Sequence, residues 1–223
     1  MKDKKAKKYR VLVVDDHPLF RKGVVQLLHD EPDIEVRAQA GTSSEAISAV
    51  RRHDVDLAVI DISLEGGPDG IELTKSIRAE RPRLPVLILS MHDETLYAER
   101  ALRAGARGYV MKREALDQFI TAVRTVLRGE IFISPTMSNR MVYDHIHGTS
   151  DSRSPVDRLS DRELEIFQLI GKGHDVHEIA RGLHLSEKTV EAHRAHIKEK
   201  LNLANAREVT RFATNWLLLQ QSG

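Results

Sequence analysis

Three aspartates, a serine and a lysine each stand at the end of a short apolar run. Asp15 and Asp16 follow Val11-Leu12-Val13-Val14, and Asp61 follows Val55 to Ile60. Ser90 follows Pro85 to Leu89, and Lys112 follows Tyr109-Val110-Met111. If those runs are neighbouring strands of one parallel sheet, all five side chains meet at one rim, where such sheets bind ligands. Crowded carboxylates repel one another unless a cation joins them. Mg²⁺ takes oxygen ligands from a few carboxylates and works with phosphates, which makes it the natural guest. A carboxylate can also attack phosphorus and form an aspartyl-phosphate. Lys112 and Ser90 would then contact the phosphoryl oxygens. In the competing reading Asp15 and Asp16 cap the helix after them, and Asp61 caps another. Capping accounts for each acid singly, but not for acids, hydroxyl and lysine at one set of strand ends.

A second group lies at 176–201. Ile179, Ala180 and Leu183 form a short apolar face, and His184-Leu185-Ser186 is a tight connection with Ser186 as N-cap of the next helix. That helix sets Val190, Ile197 and Leu201 on one face and Lys188, Glu191, Ala192, Ala195 and Lys198 on the other. A helix entering a DNA major groove needs a face with few bulky apolar groups and some hydrogen-bonding ones. Ala192 and Ala195 allow close approach and can touch thymine methyls. Lys188, Arg194 and Lys198 can reach phosphates or guanine, Glu191 can accept from cytosine N4, and Thr189 can hold a phosphate. His193 reads as a packed or phosphate-facing side chain rather than a metal ligand. An ordinary amphipathic surface helix would show a similar pattern.

The elements needed to position these groups are legible in outline. Through residue 128, strand-like and helix-like patterns alternate. Phe20, Val24, Leu27 and Leu28 mark a first helix. Five β-α units imply a parallel sheet with helices on both faces. Ser134-Pro135 can open a short helix through Met141, and Gly148 to Pro155 has linker chemistry. After it come four helical segments, roughly 161–171, 176–183, 187–201 and 206–219. The last, with Val209, Phe212, Ala213, Trp216 and Leu217, fits either a dimer surface or the core of its own domain.

Composition narrows the classes. The chain has no cysteine, which excludes disulfides, thiolate zinc sites and a cysteine nucleophile. Its lysine-rich start lacks the apolar stretch of a secretion signal. No run approaches the roughly 18 apolar residues of a membrane span. A cytoplasmic protein without membrane contact is therefore expected. The formal charge is +5 over residues 1–10, −4 over 11–149 and 0 over 150–223. DNA binding must rest on local arrangement of charge, not on overall basicity. No glycine-rich Walker loop appears, which argues against a nucleotide-hydrolysing enzyme.

Residues 10–128 resemble a response-regulator receiver domain. The carriers are Val14-Asp15-Asp16-His17-Pro18, Ile60-Asp61, Leu89-Ser90 and Gly105-Ala106-Arg107-Gly108-Tyr109-Val110-Met111-Lys112. Residues 159–219 resemble a LuxR-type domain of the NarL/FixJ family. Its carriers are Leu159 to Glu165, Gly173, Glu178-Ile179-Ala180, Leu185-Ser186, Lys188 to Arg194 and Lys200-Leu201. The resemblance implies a flavodoxin-like, doubly wound five-stranded sheet of order 2-1-3-4-5, followed by an all-α, four-helix helix-turn-helix domain. It implies Asp61 as phosphoacceptor, and Asp15, Asp16, Asp61 and the backbone carbonyl of Ser63 as Mg²⁺ ligands. Ser90 and Tyr109 would be the switch pair, with Lys112 on the phosphoryl group. A sensor histidine kinase, double-stranded DNA and a second copy of the chain when phosphorylated are the implied partners. The implied organisation is a basic tail over 1–9, a receiver over 10–130, a linker with a possible short helix over 131–157, and the DNA-binding domain over 158–221. The function expected is that of a phosphorylation-controlled transcriptional regulator. The alternative is a phosphorylation-independent DNA-binding or scaffold protein with a degenerate receiver.

Two departures stand out. The family usually has proline four residues after the phosphoacceptor and glycine eight after it. Here position 65 is Glu, and the matching glycine is Gly70, nine residues on. Asp175-Val176-His177 stands where the LuxR type usually shows Ser/Thr-Asn-Lys.

Overall fold

The computed structural model describes residues 8–64, 69–146 and 155–221. The Glu65 departure, most of the Gly148 to Pro155 stretch and the basic residues through Lys7 lie outside these. The chain divides into two compact units, Met1–Tyr143 and Asp144–Gly223.

In the first unit, strands β1 (Tyr9–Val14), β2 (Ile34–Ala40), β3 (Leu57–Asp61), β4 (Val86–Ser90) and β5 (Gly108–Met111) form one parallel sheet. Its order is β2-β1-β3-β4-β5, the doubly wound arrangement expected. Helices α1 (Pro18–His29), α2 (Ser43–Arg52), α3 (Gly70–Glu80), α4 (Glu94–Ala104) and α5 (Ala115–Leu127) connect and follow the strands. Every residue of β3 and β4 is buried, as the centre of a two-faced parallel sheet requires. Val11, Val13, Leu57, Val59, Leu87, Leu89 and Val110 pack with Val24 and Leu28 of α1 and Phe119, Val123 and Val126 of α5. The alternate strand residues, Leu12, Val14, Ala58 and Ile60, face the other layer.

β1 starts at Tyr9, whose N–H bonds Asp33 O at 2.8 Å, so the tail stops short of residue 9. The connection expected from residue 131 is not free chain at its start. Phe132 bridges the open edge of β5, with Phe132 N–H on Arg107 O and Tyr109 N–H on Phe132 O, both 2.9 Å. Unpaired strand edges invite foreign pairing, and this bridge covers part of one. Ser134 N–H then donates to the buried Glu94 carboxylate at 2.8 Å, and Met137 is buried. Helix α6 (Pro135–Ile146) runs longer than the sequence pattern suggests.

The second unit holds α7 (Asp161–Gly171), α8 (Val176–Gly182), α9 (Glu187–Lys200) and α10 (Ala206–Gln221). Side-chain caps start all four, Asn205 accepting from Glu208 N–H at 3.0 Å before α10. Ser160 with Glu163 and Asp175 with Glu178 form capping boxes, and Ser186 accepts from Thr189 N–H at 3.1 Å. The Asp175 departure therefore keeps the capping oxygen that a Ser or Thr would supply. The α8–α9 turn holds His184 at a φ of 52°, in the left-handed region.

One face of α10 packs into the core of its own domain, while Leu218 and Leu219 stay exposed. Val209 and Ala213 are buried, and Phe167 of α7 meets Phe212 and Trp216 with ring centroids 5.9 and 5.7 Å away. A Cβ on Gly171 would lie 2.7 Å from Leu217 Cδ1 and 2.8 Å from Ala213 O, so glycine lets α7 and α10 touch.

Gly70 has a similar role beside the acidic rim. A Cβ there would fall 2.1 Å from the Asp61 carbonyl oxygen. Gly70→Ala is expected to lower the unfolding free energy of the first unit by about 1–3 kcal/mol, through overpacking. Urea denaturation measures it, and an unchanged midpoint would contradict this packing.

Candidate functional site

The β-strand order brings the ends of β1, β3, β4 and β5 to one rim. Asp15 and Asp61 are each 2% exposed, and Ser90 and Tyr109 are buried beside them. Lys112 Nζ donates to Asp15 Oδ2 at 2.8 Å and to Asp61 Oδ2 at 2.6 Å. Its ammonium also sits 4.3 Å from the centre of the Phe20 ring, a cation–π contact. Asp15, Asp16, His17 and Asp61 each offer a ligand atom within 4.8 Å of the others. Asp15, Asp16, Asp61 and Lys112 thus converge, with Ser90 buried at the end of the neighbouring β4.

These acids are not helix caps. His17 precedes α1 and gives no side-chain cap, while α3 is capped by Asp69, whose carboxylate accepts from Ile71 and Glu72 N–H at 3.0 and 2.9 Å. Asp15 Oδ1 instead accepts from His17 N–H at 2.7 Å, and Arg21 holds the Asp15 carbonyl.

Two buried carboxylates share one ammonium, and the Asp16 carboxylate lies beside them against His17. Burial pushes the Asp61 carboxyl up to about 6; Lys112 pulls against that rise and Asp15 adds to it. The donor set suits a hard cation. The acids contribute only oxygens, and the Lys112 ammonium already does the neutralising that a divalent ion would share.

A chain of contacts leads away from the rim. Ser63 N–H donates to Asp61 Oδ1 at 3.3 Å, and Ser63 Oγ lies 2.9 Å from His92 Nε2. His92 N–H donates to Ser90 Oγ at 3.0 Å. The Tyr109 hydroxyl donates to His92 O at 2.9 Å, and burial raises its phenol above the usual range, so it stays a donor. The His92 ring stacks on Tyr97 of α4, with centroids 4.5 Å apart. His92 is the residue that the sequence reading missed. Its only signal is its place two residues after Ser90. Phe20 was legible as an apolar stripe residue, but its contact with Lys112 was not.

In the second unit Lys188, Glu191, Ala192 and Ala195 are exposed on α9, while Thr189, Arg194 and Lys198 are half-buried. Val190 and Ile197 lie in the core. The two alanines thus leave a low surface between charged neighbours. Arg194 Nη1 lies 2.9 Å from Glu191 Oε1, so these two present an ion pair on one turn instead of separate donor and acceptor. Thr189 Oγ1 is engaged 2.7 Å from Ser186 Oγ. His177, the second departure, joins the helices: Nδ1 lies 2.9 Å from Glu187 Oε1 and Nε2 2.7 Å from Arg181 Nη2.

Known proteins agree with this architecture. Residues 11–124 match the family model of the response regulator receiver domain, and residues 157–213 that of bacterial regulatory proteins, luxR family. The oxygen regulatory protein NreC of Staphylococcus carnosus is 38% identical over 214 residues, which span 94% of this chain and 99% of that protein. The NreC of Staphylococcus epidermidis (strain ATCC 12228) is 37% identical over 216 residues, 95% of this chain and 99% of its own. A LuxR-family two-component response regulator from Aurantimonas sp. SI85-9A1 is similar in structure, with a TM-score of 0.58 and 33% identity over 63% of this chain and 99% of that one. RcsB from Salmonella enterica serovar Typhimurium, bound to the promoter P1flhDC in the presence of the phosphomimetic BeF3⁻, aligns with a TM-score of 0.58 and 26% identity. That alignment covers 92% of this chain and 98% of RcsB. The chain belongs to the two-component response regulators of NarL/FixJ type, DNA-binding regulators that join a receiver domain to a LuxR-type helix-turn-helix.

Proposed function

We propose that a sensor histidine kinase phosphorylates Asp61 and that this controls dimerisation and DNA binding by the second unit. The observation that carries the proposal is the Lys112 ammonium bonded to both Asp15 and Asp61. It sets a cation where phosphoryl oxygens on Asp61 would need one. Asp61 is the nucleophile. Asp15, Asp16, Asp61 and the Ser63 carbonyl would hold Mg²⁺, which would offset the charge of the incoming phosphoryl group.

The switch runs through Ser90 and Tyr109. A phosphoryl group adds about −1.5 to −2 of charge. Lys112 would move from sharing two carboxylates to holding the phosphoryl oxygens, and the Ser90 hydroxyl would turn towards them. Ser90 Oγ accepts the His92 N–H, and the His92 carbonyl accepts the Tyr109 hydroxyl, so a shift of Ser90 reaches both. His92 carries it to Tyr97 on α4. The α4, β5 and α5 surface would respond and favour a homodimer.

Two copies of α9 would then read two half-sites on double-stranded DNA. Lys188, Thr189, Ala192, Ala195, Lys198 and the Glu191–Arg194 pair would make the contacts. The receiver is assigned to 10–130, with Tyr9 and Phe132 adding to its sheet, and the DNA-binding domain to 158–221, with 131–157 between them. No helix among the described residues is long and apolar enough to cross a membrane, and a cytoplasmic site of action fits DNA as the partner.

Beryllofluoride tests the phosphoryl site. The protein is expected to bind it only with Mg²⁺, and Asp61→Asn to abolish binding; Mg²⁺-independent or mutation-insensitive binding would favour the scaffold reading. Acidity gives a second check. The nucleophile is the carboxylate, and in metal-free protein Asp61 gains its proton at about pH 6. Phosphorylation by a small-molecule donor at limiting Mg²⁺ should therefore fall as pH drops through 6, with higher Mg²⁺ moving the fall to lower pH. On DNA, Lys188→Ala should weaken duplex binding and reduce the salt slope by about 1; fluorescence anisotropy across a salt series reads both.

A further inference from the structure

We propose that Glu163, His193 and His196 form a second metal site, within the DNA-binding unit, for a borderline divalent ion of the zinc class. Each offers a ligand atom within 4.8 Å of the other two. The site is separate from the acidic rim, and the proposal does not rest on phosphorylation.

Glu163 is in the first turn of α7, and its side chain is 4% exposed. The capping box fixes it: Oε2 accepts from Ser160 N–H at 2.7 Å and from Lys200 Nζ at 2.6 Å. Oε1 faces His196, 3.8 Å from its Nδ1. His193 and His196 are three residues apart on α9, so both imidazoles share a face. His193 is half-buried and His196 exposed. A preset buried carboxylate thus meets two imidazoles across a helix–helix contact.

The ligand chemistry selects the ion. Two imidazoles and one carboxylate form a three-ligand zinc set, with the fourth position left to water. Magnesium and calcium prefer oxygen-only sites, so the two sites of this chain would take different cations. An ion central to a triangle with sides of 4.8 Å would be about 2.8 Å from each corner. Zinc bonds of about 2.0–2.2 Å require the ligands to close by less than about an ångström. His196, 60% exposed, has the freedom to do so. Lys200 works against the ion through its charge, so binding is weaker than in a closed structural site. The effect of occupancy is local: the metal would tie α9, which carries the DNA-facing residues, to the first turn of α7.

The test is calorimetric titration of the full chain with zinc, with excess Mg²⁺ present to hold the acidic rim. Imidazole ¹⁵N NMR locates the ion. Wild type is expected to bind, with His193 and His196 resonances shifting together. His196→Gln and Glu163→Gln should each weaken binding by about tenfold or more, and His177→Gln should leave it unchanged. Circular dichroism in chelator checks that each variant folds; His196→Gln, at an exposed position, preserves the test if Glu163→Gln does not fold. The proposal is overturned if zinc leaves both imidazoles unmoved, or if His196→Gln binds as wild type does.

Discussion

One ammonium between two buried carboxylates organises the first unit. Lys112 comes from the end of β5, Asp15 from the end of β1 and Asp61 from the end of β3, and all three are nearly dry. Taking such charges out of water is costly unless partners are held in good geometry. Much of the surrounding design serves that end. Phe20 lies beneath the ammonium, His17 N–H satisfies Asp15, Ser63 N–H satisfies Asp61, and Gly70 allows α3 to approach the Asp61 carbonyl. The arrangement is balanced and not saturated, since Asp61 is still pushed up towards neutrality.

The route from the rim is short. Ser90, His92 and Tyr109 are joined by hydrogen bonds, and His92 stacks on Tyr97, so His92 brings the rim into contact with α4. Tyr109 is itself on β5, next to the edge that Phe132 covers. Tyr109 thus joins the acidic rim and that edge on one strand.

The second unit solves a different problem. Its first two helices, α7 and α8, are short, and short helices are marginal without caps and tertiary packing. Capping boxes at Ser160 and Asp175, a cap at Ser186 and the Phe167, Phe212 and Trp216 cluster supply both. The result presents α9 with its alanines outward. Glu163 has three relations there, capping α7, pairing with Lys200 and facing two histidines. It links the start of α7 to the helix assigned to DNA.

While the strand order 2-1-3-4-5 was implied by the family resemblance, the sequence by itself determined the alternation of strands and helices, most helix spans and which residues stand at the strand ends. These follow from local periods of hydrophobicity, from acids placed at strand ends and from capping residues, all read over a few neighbouring positions. The Ser186 cap and the exposed alanines of α9 were legible for the same reason. Tertiary structure alone decided the rest, because it depends on residues distant in the chain meeting at particular distances. That one face of α10 is core turned on Phe167 and Gly171. The role of Gly70 turned on the Asp61 carbonyl, and that of Phe132 on an open strand edge. His92 and Phe20 gained their places by contact and not by pattern. By pattern His193 is a packed or phosphate-facing histidine; only the fold sets Glu163, thirty residues earlier in the chain, beside it.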